Sequence, residues 1–340
     1  MLDELGVRVV KLNTVFEKMS FDKETIVVQA GKPVEFVLEN SDLMPHNFVI
    51  VAPGALEDVG TAAEAQAQDP KFAAANFVPN SPQVLAKSGL LPPRGSTRVG
   101  FTAPTTPGVY AYVCTYPGHW RRMYGALYVV PDMNEYEAAP EAYLTANKIE
   151  PLDALLKDRR PRTEWKLADL AAAVTALPDT GGRSHAGGLA AFKIANCAAC
   201  HKVNDVGVEF GPDLTKLNKM YKPLDVLRHV LEPSERIDDK YRSFTYELTD
   251  GRTLTGMQVA ETKDAYKVIE NPLAKAEPIE VLKSTVDART ALPTSPMPKG
   301  LLDKLTRDEV LDLLAFLIAR TDAEHAVFRK NGHEHGAHKH

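Results

Sequence analysis

Cysteine is scarce in this chain of 340 residues, which contains three, at Cys114, Cys197 and Cys200. An odd number of thiols cannot all be paired within the chain, so a framework of structural disulfides is not expected. Long apolar runs are also missing, since no stretch approaches the roughly 18 residues that a membrane-spanning helix needs. A formal net charge of −5, without a basic stripe, argues against a nucleic-acid partner.

The start of the chain lacks the basic and apolar regions of a secretory signal, because Leu2-Asp3-Glu4 is acidic. We therefore expect a mature or excised form in which Met1 is a start residue. The hydrophobic content of 44% and the charged content of 25% are those of an ordinary globular protein. At 340 residues, two or more domains with cores of their own are expected.

Metal-ligating side chains are concentrated in the segment 113–123, where Cys114, His119 and Met123 follow the spacing C-x4-H-x3-M. Valines and tyrosines alternate on both sides, which predicts a loop between two strands. A second imidazole, His46, begins another strand-like run. One thiolate, two imidazoles and one thioether are the ligand set of a blue-copper electron-transfer site.

Each of these residues alone has an ordinary explanation, since a Cys at a strand end is usually a small buried hydrophobe. Their joint occurrence at ligand spacing favours a metal site. A second Cys in the loop, which a binuclear site would need, is absent. Val113 and Thr115 flank Cys114, whereas copper enzymes place there a His that passes electrons to a catalytic metal. The pattern therefore predicts a carrier.

Residues 7 to 131 resemble azurin-type and auracyanin-type cupredoxins, because the loop Cys114-Thr-Tyr-Pro-Gly-His119 has the azurin spacing. The resemblance implies an all-β Greek-key sandwich. Between about 53 and 75 the composition changes to Ala, Glu, Gln and Asp, which predicts a helical flap outside the sandwich. The resemblance also implies a type 1 copper with three equatorial ligands and one axial ligand: His46, Cys114, His119 and Met123. The chain departs at Pro45, where azurins have a Gly, which leaves a second axial contact open.

The same resemblance implies that Asn47 and Thr115 brace the loop with hydrogen bonds. It places the imidazole edge of His119 near the surface as the port for electrons. Arg121 and Arg122 stand beside that port. They either steer an acidic partner or the haem domain towards it, or are two solvated arginines.

A second cofactor motif lies at Cys197-Ala-Ala-Cys200-His201. Cys-x-x-Cys-His is the attachment signature of c-type haem, with two thioether bonds and the His as proximal iron ligand. A chance match or a zinc half-site is the alternative. A Gly and an aromatic residue four positions apart precede the motif on a predicted helix, and Gly211-Pro212-Asp-Leu214 follows it.

This arrangement resembles class I cytochromes c, in which the carbonyl of the Pro, here Pro212, orients the proximal His. The sixth iron ligand is expected at Met297, on a Pro-bounded loop before an amphipathic helix at about 306–320. Met220 is the runner-up, and Met257 is expected to face a β layer. If no Met binds, the iron is open and its chemistry changes.

Residues 188 to 320 also resemble the haem-binding domain that recurs in secreted multidomain proteins of planctomycetes and verrucomicrobia. The motifs include Leu231-Glu-Pro-Ser234, Asp250-Gly251-Arg252 and Ser295-Pro-Met-Pro298, and a strand-rich insert between 240 and 285 is typical of that family. The resemblance implies a mainly α cytochrome c domain with a β-hairpin insert. It leaves open a fusion to, or docking on, a dehydrogenase.

The sequence thus predicts two domains and two accessory segments: a cupredoxin domain at 1–131, a helical connector at 132–183, a cytochrome domain at 184–321 and a His-rich tail at 322–340. The histidines of the tail are of a type and density that can chelate copper or zinc. We expect instead that the tail is a disordered, solvated end.

The predicted function is electron transfer between a type 1 copper and a c-type haem, relayed between redox protein partners, without enzymatic activity. Because haem is attached covalently outside the cytoplasm, a periplasmic or exported protein is expected. Two alternatives stay open. One is a peroxidase-like haem enzyme or sensor with an open iron fed by the copper; the other is a copper-binding or storage protein.

Overall fold

The computed structural model describes residues 6–158, 160–217, 221–271, 277–319 and 322–329. The chain divides into two compact units, Met1–Arg159 with Asn271–Glu277 and Arg160–Glu270 with Pro278–His340. Among the helices described in either unit, none has the length and apolar character needed to cross a membrane.

The described part of the first unit contains nine strands: β1 Arg8–Val15, β2 Ser20–Phe21, β3 Thr25–Gln29, β4 Pro33–Glu39, β5 Val49–Val51, β6 Val84–Lys87, β7 Ser96–Thr102, β8 Gly108–Val113 and β9 Tyr124–Val130. They form two sheets with the orders β2-β1-β4-β7 and β3-β9-β8-β5-β6. β1 pairs with β4, and β3 with β9, in parallel; the other pairs are antiparallel. The predicted β-sandwich is confirmed.

The two sheets enclose an aromatic core. β4 alternates inward and outward residues, so that Val34, Phe36 and Leu38 are buried. The ring of Phe36 lies 4.9 Å from that of Phe48 on the other side of the core. Each such side chain contributes about 1.5–3 kcal/mol by leaving water, and together they fix which face of every strand points inward.

Strands β5 and β8 are buried almost throughout rather than on alternate residues. The reason is a second layer of helices on the outer face of their sheet: α1 Leu56–Ala65, α3 Met133–Ala138, α4 Pro140–Ala146 and α5 Ala154–Lys157. The short helix α2, Pro70–Ala74, instead places Phe72 in the aromatic core. Leu56 of α1, Tyr143 of α4 and Leu156 of α5 belong to the cluster that covers this face. The helices α1 and α2 occupy the predicted flap.

The segment predicted as a connector does not stand apart in the structure. Its first part, which carries α3 to α5, belongs to the first unit. There the buried carboxylate of Asp153 accepts the N–H groups of Gly54 at 3.1 Å and Leu56 at 2.8 Å, at the start of α1. Its second part carries α6, Leu167–Thr180, whose apolar face is buried in the core of the second unit. The sequence predicts a helical connector, but not which core each part of it covers.

The described part of the second unit has four helices of eight or more residues: α6, α7 His185–Ile194, α8 Pro223–Leu231 and α9 Arg307–Ile318. α7 and α9 cross closely, since a Cβ added to Gly188 would lie 2.5 Å from Cβ of Phe316. Phe192, the aromatic residue four positions after Gly188, is fully buried. The predicted Gly and aromatic pair therefore serves helix packing ahead of the haem motif.

A five-stranded antiparallel sheet is inserted between α8 and α9: β10 Ser243–Leu248, β11 Thr253–Glu261, β12 Ala265–Ile269, β13 Ile279–Leu282 and β14 Val286–Ala291. Its order is β13-β12-β11-β10-β14. Tyr246, Val268 and Val281 form its core. Met257 is buried in β11, on the face of the strand opposite to Leu254, which packs against this core. The strand-rich insert in a helical domain is confirmed, but it is a five-stranded sheet and not the predicted β-hairpin.

Candidate metal and haem sites

Three buried side chains of the first unit meet at one point, two from the loop 113–123 and one from the segment before β5. Cys114 Sγ lies 3.8 Å from His46 Nδ1 and 3.5 Å from His119 Nδ1, and the two Nδ1 atoms are 3.2 Å apart. All three residues are buried. They form the metal-binding group of His and Cys that the sequence predicts.

The distances fit a single ion. With metal–nitrogen and metal–sulfur bonds of about 2.0 and 2.3 Å, three ligands in a plane lie about 3.5–3.8 Å from one another. The observed separations, from 3.2 to 3.8 Å, are close to these values. A thiolate with two imidazoles also suits copper in preference to magnesium or calcium, which favour oxygen ligands.

The strands hold these ligands in place. His46 pairs with Leu91 just before β5, through N–H···O contacts of 3.1 and 2.7 Å. Cys114 directly follows β8, and its N–H donates to the carbonyl of Met123 at 2.9 Å. The N–H of Met123 in turn donates to the carbonyl of His119 at 2.8 Å. Backbone hydrogen bonds therefore close the loop around the cluster.

Met123 is fully buried and belongs to the same core cluster as Cys114. Because its carbonyl holds the N–H of Cys114, its backbone lies beside the three-residue group. Its role as axial ligand stays a prediction.

Asn47 and Thr115 brace the loop as expected. Asn47 Oδ1 accepts the N–H of Thr115 at 2.7 Å, and Asn47 Nδ2 donates to Thr115 Oγ1 at 3.0 Å. Asn47 Nδ2 also donates to the carbonyl of Asn76 at 2.8 Å. One side chain thus ties together the segment of His46, the loop of Cys114 and the helical insertion.

The two imidazoles of the group differ in their affinity for a proton. Burial alone would lower the pKa of His46, but the hydrogen bonds to Asp42 and Cys114 and their charges raise it to about 9. The pKa of His119 is well below its usual value of 6.5, because the ring is buried and lies beside the charge of His46. Two protonated imidazoles at this distance would repel each other, so both rings are not charged at once. A single metal ion bound by both imidazoles avoids this repulsion.

The imidazole edge of His119 was predicted to lie near the surface as the port for electrons, but in the structure His119 is fully buried. Its role as the port stays a prediction. The ring of Tyr116 lies edge-on 5.0 Å from that of His119, and Phe77 packs behind Tyr116 at 5.1 Å. Arg122 is only 6% exposed, so it is not a solvated arginine. Arg121 is half-exposed and pairs with Glu64 of α1.

Sequence reasoning missed Trp120 and Asp42. The indole of Trp120 packs so tightly on α1 that a Cβ added to Gly60 would lie 2.3 Å from it. Its Nε1 donates to Glu64 at 3.3 Å, so the insertion is fastened to the loop. Asp42 Oδ2 lies 3.2 Å from His46 Nε2. For Asp42, the one signal in the sequence was an acidic residue four positions before the ligand candidate His46.

In the second unit, the Cys-x-x-Cys-His motif folds into a single tight turn. The N–H groups of Cys200 and His201 both donate to the carbonyl of Cys197, at 3.1 and 2.9 Å. His201 Nδ1 lies 2.9 Å from the carbonyl oxygen of Pro212, so the carbonyl fixes the tautomer. His201 Nε2 is then the nitrogen available to an iron ion, as in the predicted arrangement.

The surroundings of His201 also suit a neutral metal ligand. Burial lowers the pKa of His201, against the opposing hydrogen bond to Pro212. Burial raises the pKa of the Cys200 thiol to about 11. A Cβ added to Gly211 would lie 2.7 Å from His201 Cε1, so the chain passes the imidazole at a distance that only glycine permits. The turn fits the covalent attachment of a haem.

The loop predicted to carry the sixth ligand is held by hydrogen bonds. The N–H of Met297 donates to Ser295 Oγ at 3.1 Å, and the N–H of Ser295 to Ser234 Oγ at 3.0 Å. Met297 itself is half-buried, and its ligation stays a prediction. Met220 and the histidines from 333 onwards lie outside the described residues.

Two family models match the chain: "Copper binding proteins, plastocyanin/azurin family" at residues 8–130 and "Cytochrome c" at residues 186–319. Auracyanin-A of Chloroflexus aurantiacus is 33% identical over 126 residues, which cover 36% of this chain and 75% of the relative. Auracyanin-B of the same organism is 32% identical over 133 residues, covering 38% and 55%. A solved structure of auracyanin A, titled a "blue" copper protein, matches with 32% identity, 37% and 100% coverage and a TM-score of 0.33.

Proposed function

Because the chain belongs to the plastocyanin/azurin family of copper-binding proteins and carries a cytochrome c domain as well, we propose that it relays single electrons between redox proteins. Its two domains indicate electron transfer with copper and haem. A type 1 copper ion and a c-type haem, when bound, each change oxidation state by one electron. The proposed relay joins the two cofactors in one chain.

The observation that carries this proposal is the buried group of His46, Cys114 and His119, with its donor atoms 3.2–3.8 Å apart. These buried side chains offer a metal ion one soft ligand, the thiolate of Cys114, and two ligands of intermediate softness, the imidazoles. Hydrogen bonds from the backbone and from Asn47 hold the loop, which limits rearrangement when the charge at the site changes. We assign Met123 as the axial ligand.

In the second unit we assign Cys197 and Cys200 to the thioether bonds and His201 to the proximal position. Pro212 orients that imidazole through its carbonyl, and Met297 is the proposed distal ligand. A His and Met pair raises the potential of a haem, which suits exchange with a copper centre of similarly high potential.

Several further assignments rest on the chemistry of the cofactors. Val113 and Thr115 beside Cys114 offer no imidazole that would conduct electrons to a catalytic copper, which favours a carrier over an enzyme. Covalent attachment of haem favours a periplasmic or exported protein. Its partners are then redox proteins, with a dehydrogenase, fused or docked, among the candidates.

The first test is an absorption spectrum and an EPR spectrum of the full chain, oxidised and reduced. We expect an intense thiolate-to-copper band and low-spin haem bands. The variant Cys114→Ser should lose the copper band and keep the haem bands, while His325→Ala, outside both sites, should keep both. A protein without the copper band after copper addition, or one holding zinc at Cys197 and Cys200, would overturn the proposal.

The relay has a separate test. Rapid reduction of one cofactor in the full chain should be followed by electron exchange with the other at a rate independent of protein concentration. A rate proportional to protein concentration would mean that electrons pass between molecules and not within the chain.

A further inference from the structure

We propose that Asp42 is a positioning residue of the copper site, whose carboxylate fixes the orientation and tautomer of His46 and biases the metal towards its oxidised state. The inference rests on the proposed ligation of copper by His46. No feature of the loop 113–123 predicts it, because Asp42 precedes His46 by four residues in another part of the chain.

The geometry links Asp42 to the ligand group directly. Asp42 Oδ2 lies 3.2 Å from His46 Nε2, and the two side chains are 4% and 2% exposed. The other ring nitrogen, Nδ1, faces Cys114 Sγ at 3.8 Å. An imidazole that gives Nδ1 to a metal carries its proton on Nε2, and a carboxylate acceptor at Nε2 selects that tautomer and stops the ring from turning.

Asp42 itself is held rigidly. Its Oδ1 accepts the N–H groups of Glu17 at 3.1 Å and Leu43 at 2.8 Å. Its own N–H donates to Thr14 Oγ1 at 3.1 Å. The carboxylate therefore cannot swing away from the imidazole without breaking these hydrogen bonds to partly buried backbone N–H groups.

Three N–H donors converge on this one carboxylate, two from the backbone on Oδ1 and one from His46 on Oδ2. An amide in the same place has a single oxygen, so it must turn its NH₂ group either to the imidazole or to the backbone donors. Only a group with two acceptor oxygens satisfies all three. The site thus selects Asp over its isosteric amide.

The negative charge has its own effect. Cu(II) carries one more positive charge than Cu(I), so an anion hydrogen-bonded to a ligand stabilises the oxidised ion more. Inside a protein such an effect is larger than in water. Asp42 is therefore expected to lower the reduction potential of the copper.

The test compares Asp42→Asn with the wild type in the full, copper-loaded and haem-loaded chain. Loss of an outer partner of a ligand typically costs 10–100-fold in metal affinity. We expect the ratio of Cu(II) to Cu(I) affinity to fall about tenfold, which raises the copper potential by about 59 mV for one electron. A redox titration followed by the Cu(II) EPR signal measures this without interference from the haem bands.

Two further readouts separate positioning from mere stability. Pulsed EPR of the Cu(II) protein reports the remote nitrogen of a bound imidazole, and its quadrupole coupling should change in Asp42→Asn. The control Asp153→Asn makes the same substitution at another buried carboxylate of the first unit, which accepts the N–H groups of Gly54 and Leu56 and takes no part in holding Asp42. It should lower the melting temperature and leave the coupling unchanged.

If Asp42→Asn does not fold, NMR of the reduced wild type with ¹⁵N-labelled histidine decides. A slowly exchanging proton on His46 Nε2 is expected, and a proton on Nδ1 would overturn the inference. An unchanged potential and coupling in a blue Asp42→Asn protein would also overturn it, while leaving the proposed function intact. A wild type that fails to form a blue copper site would instead refute the proposed function, and with it the premise of this inference.

Discussion

Asn47 and Thr115 are joined by hydrogen bonds in both directions although 68 residues separate them: Thr115 N–H donates to Asn47 Oδ1 at 2.7 Å, and Asn47 Nδ2 donates to Thr115 Oγ1 at 3.0 Å. Asn47 follows His46, and Thr115 follows Cys114. This pair therefore fixes the distance between two ligand candidates through their neighbours, independently of any bound ion.

Replacing Asn47 by Ala should loosen the loop. The buried N–H of Thr115 would lose its acceptor, which costs about 1–3 kcal/mol. Denaturant unfolding of the copper-loaded protein should show this loss, and a chelator should remove copper faster. The control Asn134→Ala, at an exposed position, should change stability by less than about 0.5 kcal/mol. Equal behaviour of the two variants would exclude the bracing role.

Met123→Leu should separate the packing of Met123 from its proposed ligation. Leu has a similar volume, so the fully buried position should lose less than about 1.5 kcal/mol. Because the axial ligand tunes the potential of such a site, removing the thioether should raise the copper potential while the blue colour remains. Met257→Leu, at a buried position in the sheet of the second unit, is the matched control. An unchanged copper potential in Met123→Leu would remove Met123 from the ligand set.

The group of candidate ligands could be proposed from the sequence because the spacing of Cys114, His119 and Met123 within one loop is visible there. His46 was found through its place before a strand. The burial of His119 was not predictable, since the ring of Tyr116 that lies against it is itself covered by Phe77, which reaches the loop from the helical insertion. Local spacing records ligand order but not what packs over the ligands.

The same limit applies to the fold. The alternation in β4 predicts an amphipathic strand, and the structure agrees. β5 and β8 show no alternation because helices α1, α4 and α5 cover their outer face. Nothing in the sequence of residues 132–158 marks that they pack on this sheet, so the sequence indicates only a helical connector.

Gly211→Ala should disturb the proximal imidazole. The added Cβ would lie 2.7 Å from His201 Cε1 and 2.9 Å from Nδ1, so the ring must move away from the carbonyl of Pro212. A weaker ligand bond should follow, seen as a shifted haem potential and altered low-spin bands. Gly100→Ala is the control, because an added Cβ there meets no atom within 4 Å. Identical haem spectra and potentials in the two variants would contradict this account of Gly211.

Met297→Ala tests the distal position. If Met297 binds iron, the wild type should bind carbon monoxide slowly in the reduced state, and the variant should bind it at least tenfold faster. Met220→Ala serves as the comparison, since Met220 is the other candidate. Rapid binding by the wild type would favour an open iron and the enzyme or sensor alternative. Fast binding by Met220→Ala alone would transfer the role to Met220.

The ion pair of Arg160 and Glu309 predicts an acid-dependent stability in the second unit. Burial tends to raise the pKa of Glu309, but the hydrogen bonds from Arg160 and Thr306 and the charge of Arg160 outweigh it and lower the pKa below its ordinary 4.5. A lowered pKa in the folded state means that the unfolded state binds protons more readily. The ion pair therefore stabilises the folded state fully at a pH above the ordinary pKa of a glutamate. This stabilisation is lost as the pH falls through the lowered pKa of Glu309 in the folded state.

Arg160→Gln should thus reduce stability at neutral pH by about 0.5–1 kcal/mol and have little effect once Glu309 is protonated. Both side chains of the wild-type pair are about 30% exposed or less, so solvent screens the pair only in part. Circular dichroism of the haem band during unfolding, followed from neutral pH to about pH 3, measures the difference. Arg98→Gln breaks a pair whose arginine is 68% exposed, and it should leave the unfolding of the haem domain unchanged. A constant difference between wild type and Arg160→Gln across this pH range would show that Arg160 stabilises the unit by packing and not through the charge of Glu309.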